Sequence, residues 1–102
     1  MKVKEAVEYL TLNRIPGTDI REVELARLYH DELMKRSNIR WLSGKIPMAG
    51  FCTLLKEMNA WIVKVMLGVG LTKGRAHYLM HTFNEQAYNS AEQALTLASN
   101  DR

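Results

Sequence analysis

Side chains suited to contacts with nucleic acid are concentrated in one segment that begins at Thr72 and ends at His81. Hydroxyl, amine and guanidinium groups donate hydrogen bonds both to phosphate oxygens and to base edges. The segment follows Gly68-Val69-Gly70, a glycine-containing stretch that ends an apolar run. Two helices joined by such a turn, the second basic on one side, are typical of a helix-turn-helix. The residues predicted to contact DNA from this segment are Thr72, Lys73, Arg75, His77, Tyr78 and His81.

The predicted helix-turn-helix covers Val65–His81, with Gly70 as the glycine of the turn. Two positions depart from the usual pattern of this motif. Met66 is bulky where alanine is common, and Ala76 is small where a branched side chain is common. The alternative interpretation is therefore a pair of ordinary core helices joined by a glycine-rich turn, because so loose a motif has many accidental matches.

A second basic cluster comprises Arg36, Arg40 and Lys45, with Trp41 among them. The basic side chains are predicted to hold the DNA backbone. Trp41 is predicted to bind a partner, either by stacking on a base or by packing against a protein surface. The alternative is that Trp41 fills the core while the arginines surround it.

The remaining reactive residues do not form a recognisable catalytic or metal-binding pattern. His77 and His81 are spaced i, i+4, as a metal pair would be, but the intervening glutamate of HExxH metalloproteases is missing and no third ligand is indicated. Cys52 lies in an apolar context, where cysteine behaves as a small buried hydrophobe. We therefore expect no enzyme activity, no metal and no cofactor.

The distribution of charge favours an anionic partner. The net charge is +3, but residues 1–32 carry −2, residues 33–84 carry +7 and residues 85–102 carry −2. Such a basic middle suits either duplex DNA or an acidic protein surface. With one cysteine, no signal peptide and no apolar run long enough to cross a bilayer, the sequence favours a cytoplasmic protein without membrane contact.

Apolar residues recur at helical spacing throughout the 102 residues, which predicts a single all-α domain, a compact bundle of about four to five helices. A chain of this length leaves about a third of its surface exposed on folding, which leaves room for a homodimer. In the second helix the apolar residues are predicted to form one inward stripe, widened on one side by Leu25, Leu28 and Tyr29. The stripe itself comprises Ile20, Val23, Ala26, His30, Leu33 and Met34. The predicted helices are 2–13, 19–36, 47–67, 72–88 and a last one starting near residue 90, with 61–69 as the stretch that could instead form a strand.

Two functions from different classes follow from these patterns. The first is a small DNA-binding regulator, dimeric, that reads DNA with Thr72–His81 and clamps the backbone with Arg36–Lys45. The second is a small helical adaptor or inhibitor, of the kind that phages and mobile elements encode, that binds and blocks a larger host protein.

Overall fold

The computed structural model describes residues 2–13, 20–42 and 46–100, and within them it contains four α-helices and no strand. The all-α prediction is therefore confirmed, and the stretch 61–69 is helical up to Gly68. Among the described residues, no helix combines the length and the apolar character needed to cross a bilayer. The helices are α1 (Val3–Leu12), α2 (Arg21–Arg40), α3 (Met48–Gly68) and α4 (Lys73–Asn100).

A tight turn built on Gly70 joins α3 to α4, as the sequence predicts. Gly70 has φ of +96°, a backbone conformation that glycine adopts without a steric penalty. The N–H of Leu71 donates to the Met66 carbonyl at 3.0 Å and that of Gly70 to the Leu67 carbonyl at 3.1 Å. This pair of bonds is a Schellman motif, which satisfies the last carbonyls of α3 and reverses the chain.

After the turn, α4 runs back along α3 as the second arm of a helical hairpin. The side-chain amide of Asn84 donates a hydrogen bond to Asn59 Oδ1 at 2.8 Å. Each of these residues lies about 15 Å from the turn, at a rise of about 1.5 Å per residue, so the helices are still adjacent there. This geometry differs from a helix-turn-helix, whose helices cross at roughly 90–120° and diverge.

The core lies where α3 packs against the other three helices. All eight apolar residues that the spacing assigns to the inner face of α3 are buried, because a 3.6-residue period brings them to one side. Near the end of α3, Gly68 lets α1 approach closely, since a Cβ there would lie 2.7 Å from Val7 Cγ2. The eight residues are Phe51, Leu54, Leu55, Met58, Trp61, Ile62, Val65 and Met66.

The prediction for the inner face of α2 is correct for Leu25, Leu28, Tyr29 and Leu33 and wrong for Val23, His30 and Met34. Val23 is 62% exposed, Met34 is 46% exposed and His30 is exposed, whereas Leu25 and Leu28 are buried. Two overlapping apolar stripes run along this helix. The buried one carries three leucines and a tyrosine and so removes more apolar surface from water.

The predicted ends of α2 and α4 also need correction. The structure continues α2 four residues past Arg36, and the N–H of Trp41 donates to the Ser37 carbonyl at 2.8 Å. The break predicted near Ser90 does not occur, because α4 continues through it to Asn100. Residues that cap helices well can also lie inside them when, as here, no proline or glycine follows.

Candidate functional site

The segment predicted to read DNA forms the first turns of α4. Thr72 caps the helix, since its hydroxyl oxygen accepts the N–H of Arg75 at 3.2 Å. Lys73, His77 and His81 are exposed and spaced i, i+4, i+8, so they share one face, and His77 Nδ1 lies 2.9 Å from the Lys73 carbonyl oxygen. No group of three histidine, cysteine or acidic side chains in the described part of the chain lies close enough to hold a metal ion.

Arg75 is held by two neighbours. Its Nε donates to Glu22 Oε1 at 2.9 Å, its Nη2 donates to the same oxygen, and its guanidinium carbon lies 5.0 Å from the centre of the Tyr78 ring. The hydrogen bond to Glu22 raises the pKa of Arg75. Arg75 therefore joins the start of α4 to the start of α2, and its guanidinium group packs on the ring of Tyr78.

The two arginines of the second basic cluster are also paired with glutamates. Arg36 Nε donates to Glu32 at 2.9 Å and its guanidinium carbon lies 5.7 Å from the Trp61 ring, while Arg40 Nη2 donates to Glu57 at 2.6 Å. Burial raises the pKa of Glu32, but its hydrogen bond to Arg36 and nearby positive charges outweigh burial and leave that pKa lowered.

These arginine–glutamate ion pairs determine which basic side chains could bind a phosphate without first breaking an ion pair. Lys45 lies outside the described residues. Each predicted arginine contact would have to exchange a carboxylate for a phosphate. By contrast, no ion pair is formed within the described ranges by three lysines of the α3–α4 hairpin, Lys56, Lys64 and Lys73.

Trp41 packs against the first turn of α3 and borders a groove. Its Cζ2 would lie 3.1 Å from a Cβ placed on Gly50, so a side chain at residue 50 would move the ring by a few tenths of an ångström. The ring is half-buried, and its open side faces the space between α2 and the second half of α4. Trp41 thus both fills part of the core and contributes to a surface.

The groove between α2 and α4 has a volume of about 780 Å³, and none of the described residues that line it is a lysine, arginine, aspartate or glutamate. Its floor is apolar and aromatic, from residues such as Leu33, Phe51 and Phe83. Its rim is neutral and polar or flexible, and includes Met34, an adaptable contact residue. The lining residues are Ala26, Tyr29, His30, Leu33, Met34, Ser37, Asn38, Trp41, Ile46, Phe51, Phe83, Gln86, Ala87, Ser90 and Ala91.

One wall of the groove is formed by a stripe of residues on α4. This stripe continues beyond the part of α4 that packs against the other helices. Its members alternate at spacings of four and three residues, the heptad pattern that packs helix against helix. The first three are buried, Ala87 is half-buried, and the last three are exposed, with Leu97 at 63%. The stripe comprises Ala76, Met80, Phe83, Ala87, Ser90, Ala94 and Leu97.

The protein exposes more surface than is typical of its mass, in agreement with a stripe on α4 whose last residues are exposed. The accessible surface is 6882 Å², about 1,000 Å² more than the roughly 5,900 Å² typical of a monomer of 11.7 kDa. The radius of gyration is 14.9 Å, against about 12.8 Å for a compact domain of this length. The longest helix, α4, with 28 residues, spans most of the 50 Å long axis.

A chain of hydrogen bonds across three helices fixes the wall and floor of the groove. The hydroxyl of Tyr29 in α2 donates to Asn84 Oδ1 at 2.7 Å, and Asn84 in turn donates to Asn59 of α3. Burial raises the pKa of Tyr29 to about 12, so the hydroxyl keeps its proton. Because each partner is specific, this chain sets the register of α4 against α2.

The groove was missed in the sequence because the helical pattern was divided at Ser90. The signal that could have found it is the uninterrupted 4-3-4-3 spacing from Ala76 to Leu97. The position of α2 beside this stripe has no comparable signal. Comparisons with models of known protein families, with curated protein sequences and with solved structures find no match to this chain.

Proposed function

We propose that this protein is a small helical protein-binding module that holds an amphipathic helix of another chain in the groove between α2 and α4. The single observation that carries the proposal is the heptad stripe of α4, whose exposed end continues beside a groove with no lysine, arginine, aspartate or glutamate among its described lining residues. A heptad stripe is satisfied by the side chains of a facing helix, which insert between its residues.

The chemistry of the groove defines the helix that it would accept. An apolar floor, with no lysine, arginine, aspartate or glutamate among the described lining residues, favours a helix whose inner face is apolar, since a charge placed there would lose its hydration without a partner. Ala87, Ser90 and Ala91 are small, so a facing helix can come close to α4. Met34 and Trp41 would then close over its sides.

The arginine pairs support a protein partner over a phosphate backbone. Arg40 and Arg75 join helices of the bundle through Glu57 and Glu22, whereas Arg36 pairs with Glu32 of its own helix. In this arrangement the three guanidinium groups stabilise the body that presents the groove.

Binding of a model helix tests the proposal. The probe is a fluorescein-labelled peptide of about three heptads, with leucine and alanine at a and d positions and glutamine and lysine elsewhere. Fluorescence anisotropy should show saturable binding in the micromolar range. Ser90→Glu, which places a carboxylate in the groove, should weaken binding at least about tenfold.

The matched control is Asn89→Glu, which adds the same charge one residue away at an exposed position outside the groove lining. We expect it to bind like the unaltered protein. Peptide binding that Ser90→Glu and Asn89→Glu affect equally would contradict the groove as the binding site.

A second candidate function, a DNA-binding regulator, is favoured by three lysines of the α3–α4 hairpin that form no ion pair with any described residue. From Met48 to Asn84 the only acidic residue is Glu57, which Arg40 neutralises. Lys56, Lys64 and Lys73 could then contact phosphates without first breaking an ion pair.

This candidate requires that the protein bind duplex DNA with an affinity that falls steeply with salt. Lys73→Ala should reduce the salt dependence by about one unit of slope, whereas Arg75→Ala should have a smaller effect because its charge is already neutralised by Glu22. If the protein does not bind duplex DNA at low salt, this candidate function is excluded.

A further inference from the structure

We infer that the helix received by the groove is the C-terminal part of α4 from a second copy of this chain, in an antiparallel, two-fold symmetric pair. This inference rests on the proposed function of the groove and names its occupant. In such a pair, each copy inserts its exposed stripe into the groove of the other.

The exposed part of α4 has the chemistry that the groove requires. From Gln86 to Leu97 the helix carries one charged residue, Glu92, which is not part of the stripe. Ala94 and Leu97 continue the spacing of the buried stripe but lie exposed. This segment of α4 therefore presents an exposed apolar face and carries almost no charge.

The stripe is self-complementary about Ser90. When two α4 helices lie antiparallel with Ser90 opposite Ser90, Ala87 of each copy lies within one residue, about 1.5 Å along the axis, of Ala94 of the other. Phe83 then faces Leu97 of the second copy, so the large leucine side chain enters the apolar floor of the groove. Small residues lie at the crossing point, where two helices must approach to about 8 Å.

The area available matches what a stable dimer needs. Each chain exposes about 1,000 Å² more surface than is typical of its mass. Stable protein pairs bury about 800 Å² on each partner. The surplus is thus at least as large as the area that one partner of a stable pair buries.

Molecular mass in solution tests this pairing. Light scattering of the full chain at tens of micromolar should give about twice 11.7 kDa. Ala94→Glu, which places a carboxylate on the stripe, should shift the mass to that of one copy at the same concentration. Thr96→Glu adds the same charge at an exposed position outside the stripe and should leave the mass doubled.

A disulfide variant tests the antiparallel arrangement without depending on a charge. With Cys52, the single cysteine, replaced by alanine, Ser90→Cys should form a covalent dimer under mild oxidation, because the two Ser90 positions face each other. Asn89→Cys, on the other side of the helix, should remain a single chain. Equal crosslinking of the two variants would overturn the arrangement.

Other outcomes separate this inference from the proposed function. A single-copy mass for the unaltered chain, or a doubled mass that Ala94→Glu does not reduce, overturns the inference. In both cases the labelled peptide is then titrated into the Ala94→Glu protein, whose groove lining is intact. Binding there that Ser90→Glu abolishes upholds the groove as a helix site, and its absence overturns the proposed function as well.

Discussion

Tyr29 and Asn84 are joined by a hydrogen bond of 2.7 Å from the phenol hydroxyl to the amide oxygen, across the floor of the groove between α2 and α4. The bond is partly buried and lies beside Phe83, whose ring centre lies 5.4 Å from that of Tyr29. Asn84 also bonds Asn59, so one side chain links three helices. The groove therefore has a defined width before any partner arrives.

Removal of the Tyr29 hydroxyl should destabilise the fold. Tyr29→Phe keeps the ring but leaves the oxygen of Asn84 without its donor, which should lower the free energy of unfolding by about 1–2 kcal/mol. Urea unfolding monitored by circular dichroism measures the change. Tyr88→Phe, at an exposed position, is the control and should lie within about 0.5 kcal/mol of the unaltered protein. Equal stability of the two variants would mean that the hydroxyl contributes nothing to the bundle.

Tyr29 should also make stability fall at high pH. Burial raises its pKa to about 12 from an ordinary 10.0, so the unfolded chain loses this proton at lower pH than the folded chain. The stabilisation is fully present below pH 10.0 and is lost as the pH rises through about 12, by about 1.4 kcal/mol per pH unit between them. Urea unfolding across this range should show the loss in the unaltered protein. Tyr29→Phe should lack this component; an identical pH dependence in the variant would assign the loss to other groups.

Gly70 lies in the turn between α3 and α4, and Gly74 lies just after it. Of these two, only Gly70 should be required for the turn. Gly70→Ala forces a side chain into φ of +96° and should cost about 1 kcal/mol or more. Gly74→Ala, inside α4 with open space around its Cα, should be neutral or stabilise by up to about 1 kcal/mol. Thermal unfolding of both variants makes the comparison. A loss for Gly74→Ala as large as that for Gly70→Ala would contradict this account of the turn.

The contact between α1 and the end of α3 should show coupling between Gly68 and Val7. A Cβ on residue 68 would lie 2.7 Å from Val7 Cγ2, so Gly68→Ala should displace α1 and destabilise the protein by about 1 kcal/mol. In a Val7→Ala background the same change has room and should be neutral or stabilising. A double-mutant cycle measures this coupling, and additive effects of the two changes would show that the helices do not meet here.

The parts of the fold that were predictable from the sequence are those set by local rules. The eight buried residues of α3 follow from one 3.6-residue period, and the turn follows from Gly70. The rotation of α2 was not predictable in this way, because two apolar stripes compete and the choice depends on packing against α3. Ser90 shows the same limit, since a residue that favours helix starts lies inside a helix whose neighbours favour its continuation.

The candidate site depends on long-range pairing that no local pattern encodes. The exposed position of Lys73 and Arg75 agrees with the prediction, but the glutamates that neutralise Arg36, Arg40 and Arg75 lie between four and 53 residues away along the chain. The groove likewise arises from the bond between Tyr29 and Asn84, which are 55 residues apart. Only the α4 side of the groove had a readable signal.

The groove as a helix-binding site is tested most directly by the two tryptophan indole signals in a nuclear magnetic resonance titration with the model helical peptide. Trp41 lines the groove, whereas Trp61 is buried in the core and is not among the lining residues. We expect the indole N–H resonance of Trp41 to move progressively to saturation while that of Trp61 stays in place. A Trp41 resonance that does not move while the peptide binds would contradict the central claim.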